Sequence, residues 1–189
     1  VIRSGVVPTV CLNEIFRQAA RSLIVENAHH IISSEPLQKG GRTDDFFFLE
    51  SDGDAARKLV CDLVTTRLPR SYGFDPIRDI QVLCPTKLGP TGTQALNVEL
   101  QNLLNPEQKG KPQLQSASRV FRVGDKVMQV RNNYEIIWNR IGGEQGVGAY
   151  NGDIGIVESI NPRDRSMVVR MDDRRLIYPA ENLGELEIA

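Results

Sequence analysis

Apolar residues follow two different rhythms along this chain. Up to about residue 110, short apolar runs alternate with stretches in which apolar positions return every three or four residues. Val6-Val7-Pro8-Thr9-Val10-Cys11-Leu12 reads as a strand, and Asn13 is placed to cap a helix through its side-chain oxygen. Phe16, Ala19, Ala20, Leu23, Ile24 and Ile31 give that helix one apolar face. Phe46-Phe47-Phe48-Leu49 is a continuous apolar run of the kind buried on both faces of a sheet. Ala56, Leu59, Val60, Leu63 and Val64 mark a second helix, which Pro69 is expected to end. Ile80-Gln81-Val82-Leu83-Cys84 reads as a third strand, and Ala95 to Leu104 as a third helix stopped by Asn105-Pro106. Strand and helix in alternation predict a parallel sheet with covering helices.

Beyond residue 107 the rhythm changes. Pro106 to Ser118 is polar and reads as a linker or surface loop. Short alternating strands follow: Lys126–Val130, Asp153–Ile160 after the turn signal Asn151-Gly152, Ser166–Met171, and Arg175–Tyr178 across the turn Asp172-Asp173. Short strands with frequent turns predict a small antiparallel barrel. The fold class is therefore α/β, with a second, all-β part.

Composition changes this picture little. Of 189 residues, 40% are hydrophobic and 25% charged, as in an ordinary globular protein. No apolar run is long enough for a membrane helix, and Arg3 interrupts any signal-peptide start. The three cysteines Cys11, Cys61 and Cys84 are scattered and read as reduced thiols of a cytoplasmic protein. His29-His30 lacks partners at ligand spacing, so no metal site is expected. A net charge of -1 gives no general attraction to nucleic acid, so a binding surface has to concentrate its cations locally.

Four blocks of the sequence resemble the superfamily-one DNA helicases of the RecD/TraA type. Leu12-Asn13-Glu14-Ile15-Phe16-Arg17-Gln18 resembles their fourth motif, and Val82 to Thr93 with Leu96-Asn97 looks like the block after it. Phe121 to Tyr134 is similar to the strand leading into an inserted barrel, and Tyr150-Asn151-Gly152-Asp153-Ile154-Gly155 to the barrel's start. The blocks stand in family order. The resemblance implies a partial second RecA-like motor domain over residues 1–146, an inserted SH3-like barrel over 147–180 and a return strand over 181–189. It further implies a parent that couples ATP hydrolysis, with Mg2+, to 5′-to-3′ movement on single-stranded DNA.

The chain then represents a piece of that parent, a reading its first residue, Val1, fits. No G-x-x-x-x-G-K-[ST] loop occurs, and Lys87 precedes the glycines of its loop rather than following them. The isolated piece is therefore expected to be inactive, with no ATP or Mg2+ bound. Its partners would be single-stranded DNA and the missing first RecA-like domain. Leu186 to Ala189 looks like the strand that leads into the last motifs. The rival readings are a non-catalytic protein- or nucleic-acid-binding module, and a degenerate helicase region of a conjugative relaxase.

Three groups of residues are candidates for chemistry. By resemblance Arg17 senses the γ-phosphate across the motor cleft, where a guanidinium fork stabilises charge on the transferred group, with Gln18 as its neighbour. The alternative is a solvated helix-face arginine. The loop carrying Thr86, Lys87, Thr91, Gly92 and Thr93 joins a strand to a helix N-terminus and offers N–H groups, hydroxyls and one cation to a DNA phosphate, with Asn97 one turn on. It reads equally as a simple capped connection. Lys126, Arg131, Asn132, Tyr150 and Asn151, with Tyr134 nearby, make a possible single-strand groove or an ordinary solvated face. Trp138 reads as packing. In the parent, Arg17→Ala should cut ATPase activity strongly and leave single-strand affinity within a few-fold. Equal loss of both would make Arg17 a structural residue.

Overall fold

The computed structural model describes residues 4–10, 22–41, 44–140 and 142–189. They fall into two compact units, Val1–Glu50 and Ser51–Ala189. In the first unit, helix α1 spans Leu23–Ser33. Asn13 lies outside the described residues; the described helix starts after Ser22, which is extended (φ -75°, ψ 124°). Asp45 Oδ1 accepts the Leu23 N–H at 2.9 Å and so caps it. Buried Asn27 clamps the returning chain by bonding both the N–H and the C=O of Gln38, at 2.7 and 3.1 Å.

The second unit opens with helix α2, Gly53–Asp62, which passes through a π turn, Leu63–Arg67, into α3, Leu68–Tyr72. Pro69 therefore does not end the helix. The widened turn, closed by the Leu68 N–H on the Leu63 carbonyl, carries the chain past the residue that lacks an N–H. Gly73, at φ +73°, supplies the stop. Helix α4, Thr93–Leu104, ends at Asn105 as its sequence predicts.

Two antiparallel sheets follow. Strands β1 (Gln113–Ser116) and β2 (Arg119–Arg122) form a hairpin. Part of the expected linker is thus a strand, because Leu114 buries itself in the core beside Phe121. The larger sheet holds β3 (Lys126–Gln129), β4 (Asn133–Arg140), β5 (Gln145–Ala149), β6 (Ile154–Asn161), β7 (Ser166–Met171), β8 (Arg174–Tyr178) and β9 (Leu186–Ile188). Their order is β5-β4-β8-β7-β6-β3-β9, which is compatible with an SH3-like domain. Residue 147 lies within β5, so the sheet begins well before it.

Alternation works as the sequence predicts in β7 and β8, where Met167, Val169, Met171, Leu176 and Tyr178 all point into the core. Gly155 is required in β6: a Cβ there would lie 2.6 Å from Met171 Cγ and 2.7 Å from the Arg170 carbonyl. The β4–β5 hairpin has no such legible rhythm. A register shift between Asn133 and Ile137 breaks the alternation, and β5 carries two glycines. One of them, Gly146, lies under the Trp138 ring, which packs against the core.

The expected parallel sheet is not formed among the described residues. Val6–Val10, Phe46–Leu49 and Ile80–Cys84 have no strand assignment. Strand backbone needs a hydrogen-bonding neighbour, and no described strand of either unit pairs with these runs. Phe47, Phe48, Leu49 and Leu83 are accordingly exposed. Among the described residues, no helix is long and apolar enough to cross a membrane.

Helix α4 is joined to the sheets by a polar seam. Asn97, Gln101 and Asn105 recur every four residues and so share one face. Asn97 Nδ2 donates to the Ile188 carbonyl at 2.5 Å. Gln101 Nε2 and Asn105 Nδ2 donate to the two oxygens of Asp125, each at 2.6 Å, and the Arg122 N–H donates to Oδ2 at 2.7 Å. Asp125 is 3% exposed. Burial pushes its pKa up, and the hydrogen bonds from Asn105, Arg122 and Gln101 offset this only in part. Removing the carboxylate strands three buried donors. Asp125→Ala should therefore cost about 3 kcal/mol, read from urea unfolding midpoints. A loss below about 1 kcal/mol would show that the seam does not hold the helix.

Candidate nucleic-acid interface

The loop before α4 is folded back on itself. The N–H groups of Thr93 and Gln94 donate to the carbonyls of Thr86 and Lys87, at 3.1 and 3.2 Å. The Thr86 hydroxyl donates to the Leu88 carbonyl at 3.0 Å. Two of the helix's first donors are thus occupied, which leaves less for an anion than the sequence suggests. Gly92 permits this closure: a Cβ there would lie 2.5 Å from the Leu88 oxygen. Lys87 is exposed and makes no ion pair among the described residues. Thr91 and Thr93 are half-buried beside Gly92. Asn97 does not join them, because its amide is committed to the Ile188 carbonyl.

The proposed groove residues also separate. Lys126 Nζ donates to the Ile80 carbonyl at 2.8 Å and ties that segment to β3. Burial holds its pKa below the usual lysine value, against the pull of Asp75. It is a structural cation. Asn132, Tyr150 and Asn151, in contrast, are brought together with Tyr134, while Arg131 turns to Glu185. Asn132 Oδ1 accepts the Asn151 N–H at 2.9 Å, and its Nδ2 donates to the Tyr134 hydroxyl at 3.3 Å. Tyr134 and Tyr150 meet edge to face, with centroids 6.1 Å apart and planes at 73°. The Tyr150–Asp153 turn is fixed by the Tyr150 N–H on Asp153 Oδ2 at 3.0 Å and the Gly152 N–H on the Gln129 carbonyl at 2.8 Å.

Behind this cluster lies a carboxylate that sequence reasoning missed. Glu185, 3% exposed, accepts from Gln129 Nε2, Arg131, Asn133 Nδ2 and Asn182 Nδ2 at 2.9 to 3.0 Å. Burial pushes its pKa up, but the bonds from Asn182, Asn133, Gln129 and Arg131 outweigh this and hold it low. Its sequence surroundings, Gly184-Glu185-Leu186, carry no signal of that role. Arg131 keeps its pairing to Glu185 while remaining 65% exposed, so its outer edge faces solvent. Arg17 and Gln18 lie outside the described residues.

Comparison with known proteins bears on this geometry. Residues 96–171 match a family described as the ATP-dependent RecD-like DNA helicase SH3 domain. The match runs from α4 through β7, so it contains both the Asp125 seam and the tyrosine cluster. An ATP-dependent RecD2 DNA helicase of Deinococcus radiodurans is 32% identical over 150 residues, which cover 79% of this chain and 18% of that relative. The chain thus spans less than a fifth of that relative's length.

Because the Glu185 pKa is lowered in the folded state, its contribution to stability is present above the ordinary carboxylate value and lost as pH falls through the folded one. Glu185→Gln should therefore be less stable than wild type at neutral pH, with the gap narrowing on acidification to about pH 3. Urea midpoints at both pH values measure this. A gap independent of pH would show that the charge is not what binds the four donors.

Proposed function

We propose that this chain is part of a RecD-like, ATP-dependent DNA helicase and contributes an SH3-like module and adjoining motor-domain elements that contact single-stranded DNA. The observation that carries this reading is the placement of Asn132, Tyr134, Tyr150 and Asn151 in one exposed cluster, with the exposed Arg131 next to Asn132 in the chain, within the stretch that matches the RecD-like SH3 domain. The cluster presents a cation edge, amides and aromatic rings, the mixture that suits a single strand without reading its sequence. Lys87, at the loop before α4, is a second cation for the backbone.

The unpaired apolar runs support the motor reading. In this proposal Phe46–Leu49 and Ile80–Cys84 are strands of a RecA-like sheet that is completed by other segments of the parent. The parent moves 5′-to-3′, and Arg17 senses the γ-phosphate held by the first motor domain. The free thiols of Cys61 and Cys84 suit a reducing cytoplasm.

Nucleotide and magnesium do not fit the residues at hand. Among the described residues no group of three or more His, Cys, Asp or Glu side chains is placed to hold a metal ion. The sequence also has no phosphate-binding G-x-x-x-x-G-K-[ST] loop. In this proposal ATP is bound and hydrolysed by other parts of the parent, and this chain's share is the sensing role of Arg17.

The chain on its own should show no ATPase activity above buffer in a coupled assay, with or without DNA. It should bind a short thymidine oligonucleotide weakly at low salt, more weakly as salt rises, and more weakly again in Lys87→Ala. Turnover well above buffer would contradict the division of labour. Binding indifferent to salt would contradict the phosphate contacts.

A further inference from the structure

The tyrosine pair has geometry beyond what phosphate contact needs. We infer that Tyr134 and Tyr150 form a stacking corner for one nucleobase of single-stranded DNA. The inference rests on the DNA-binding reading above and specifies which part of the ligand this cluster takes. Tyr134 is 65% and Tyr150 46% exposed, although large aromatic side chains are ordinarily buried in this domain's core. Their planes meet at 73°, so the two rings form a corner rather than a closed stack. A flat base that stacks on one ring meets the other across that corner, which gives two favourable aromatic contacts at once.

The corner is held from behind. Asn132 bonds the Tyr134 hydroxyl with its amide nitrogen and the Asn151 N–H with its amide oxygen, linking the segments that carry the two rings. Gly148 leaves room for the Tyr150 ring: at φ +113° a side chain is disfavoured, and a Cβ there would lie 3.1 Å from the Tyr150 hydroxyl. The exposed edge of Arg131, the residue before Asn132, offers a cation to the strand's phosphates. A protein partner is a poorer fit. The exposed aliphatic side chains on the adjoining strands are Ile137, Val147 and Ile177, a small patch for an apolar interface.

Base stacking and phosphate pairing differ in what they require of the strand. The test measures binding of the 189-residue chain, by anisotropy at low salt, to a thymidine oligonucleotide and to an abasic strand of equal length. Wild type should bind the thymidine strand roughly ten-fold more tightly than the abasic one. Tyr134→Ala and Tyr150→Ala should each erase most of that difference, with thermal midpoints and the dependence of affinity on salt unchanged. Tyr134→Phe and Tyr150→Phe should keep it, and Tyr→Leu at either position should not.

Equal binding of both strands by wild type, with salt dependence intact, would overturn the stacking corner and leave the phosphate contacts standing. Leucine variants that discriminate as well as phenylalanine variants would overturn it too, since any apolar surface would then suffice. Failure of wild type to bind either strand would overturn the DNA-binding reading itself.

Discussion

Much of the second unit depends on one buried carboxylate. Asp125 receives the side-chain amides of Gln101 and Asn105 from α4 and the backbone N–H of Arg122 from the end of β2. Arg122 reaches back to the Asn102 side chain and the Asn105 carbonyl, at 3.1 and 3.0 Å. An apolar helix face would settle in several registers against the sheet. Amides four residues apart, each aimed at a separate acceptor, permit one. The loop before α4, and with it Lys87, is therefore placed by the same contacts that place the barrel. A buried charge held mainly by neutral amides gains little net energy from them, so its value lies more in specifying position than in stabilising.

Glu185 does the same work at the other end of β3. Its donors come from β3, from the start of β4 and from the turn before β9. The two carboxylates shift in opposite directions for a physical reason. Both are penalised by burial, but Glu185 gathers four side chains, including the Arg131 guanidinium, while the donors to Asp125 are two neutral amides and a backbone N–H. Acidification therefore weakens the Glu185 tie, whereas protonating Asp125 relieves a desolvation cost. The Glu185 tie between β3, β4 and the turn before β9 and the seam that carries α4 respond to pH with opposite sign.

What the sequence makes legible follows the same division. Strands β7 and β8 alternate cleanly and bury one face, and β6 does so up to Val157, where its register shifts, so most of their residues announce themselves. The β4–β5 hairpin hides behind a register shift and two glycines, one of which exists to accommodate Trp138. Pro69 misleads because a π turn is invisible in a pattern of apolar positions. At the interface, Tyr150 and Asn151 adjoin the turn signal Asn151-Gly152 and Asn132 follows the basic strand before Tyr134; their meeting follows from the pairing of β4 with β5. Lys126 looks like a groove cation because its side chain lies on the expected face. Only the fold shows that the Ile80 carbonyl has claimed it. Asp125 and Glu185 were missed because a lone acidic residue gives no sign of burial until its donors arrive from distant segments.

The exposed apolar runs point the same way as the buried seam. Phe46–Leu49 has the composition of a strand covered on both faces, yet three of its four residues are about half exposed. Leu83, within the run Ile80–Cys84, is 87% exposed. The larger sheet, built from more polar strands, buries Val127, Val169, Leu176 and Tyr178, each at 0% exposure. Among the described residues these runs pair with no strand, and apolar side chains beside unpaired backbone are costly to leave in water. The sheets bury their own core, and the tyrosine corner stands exposed beside it.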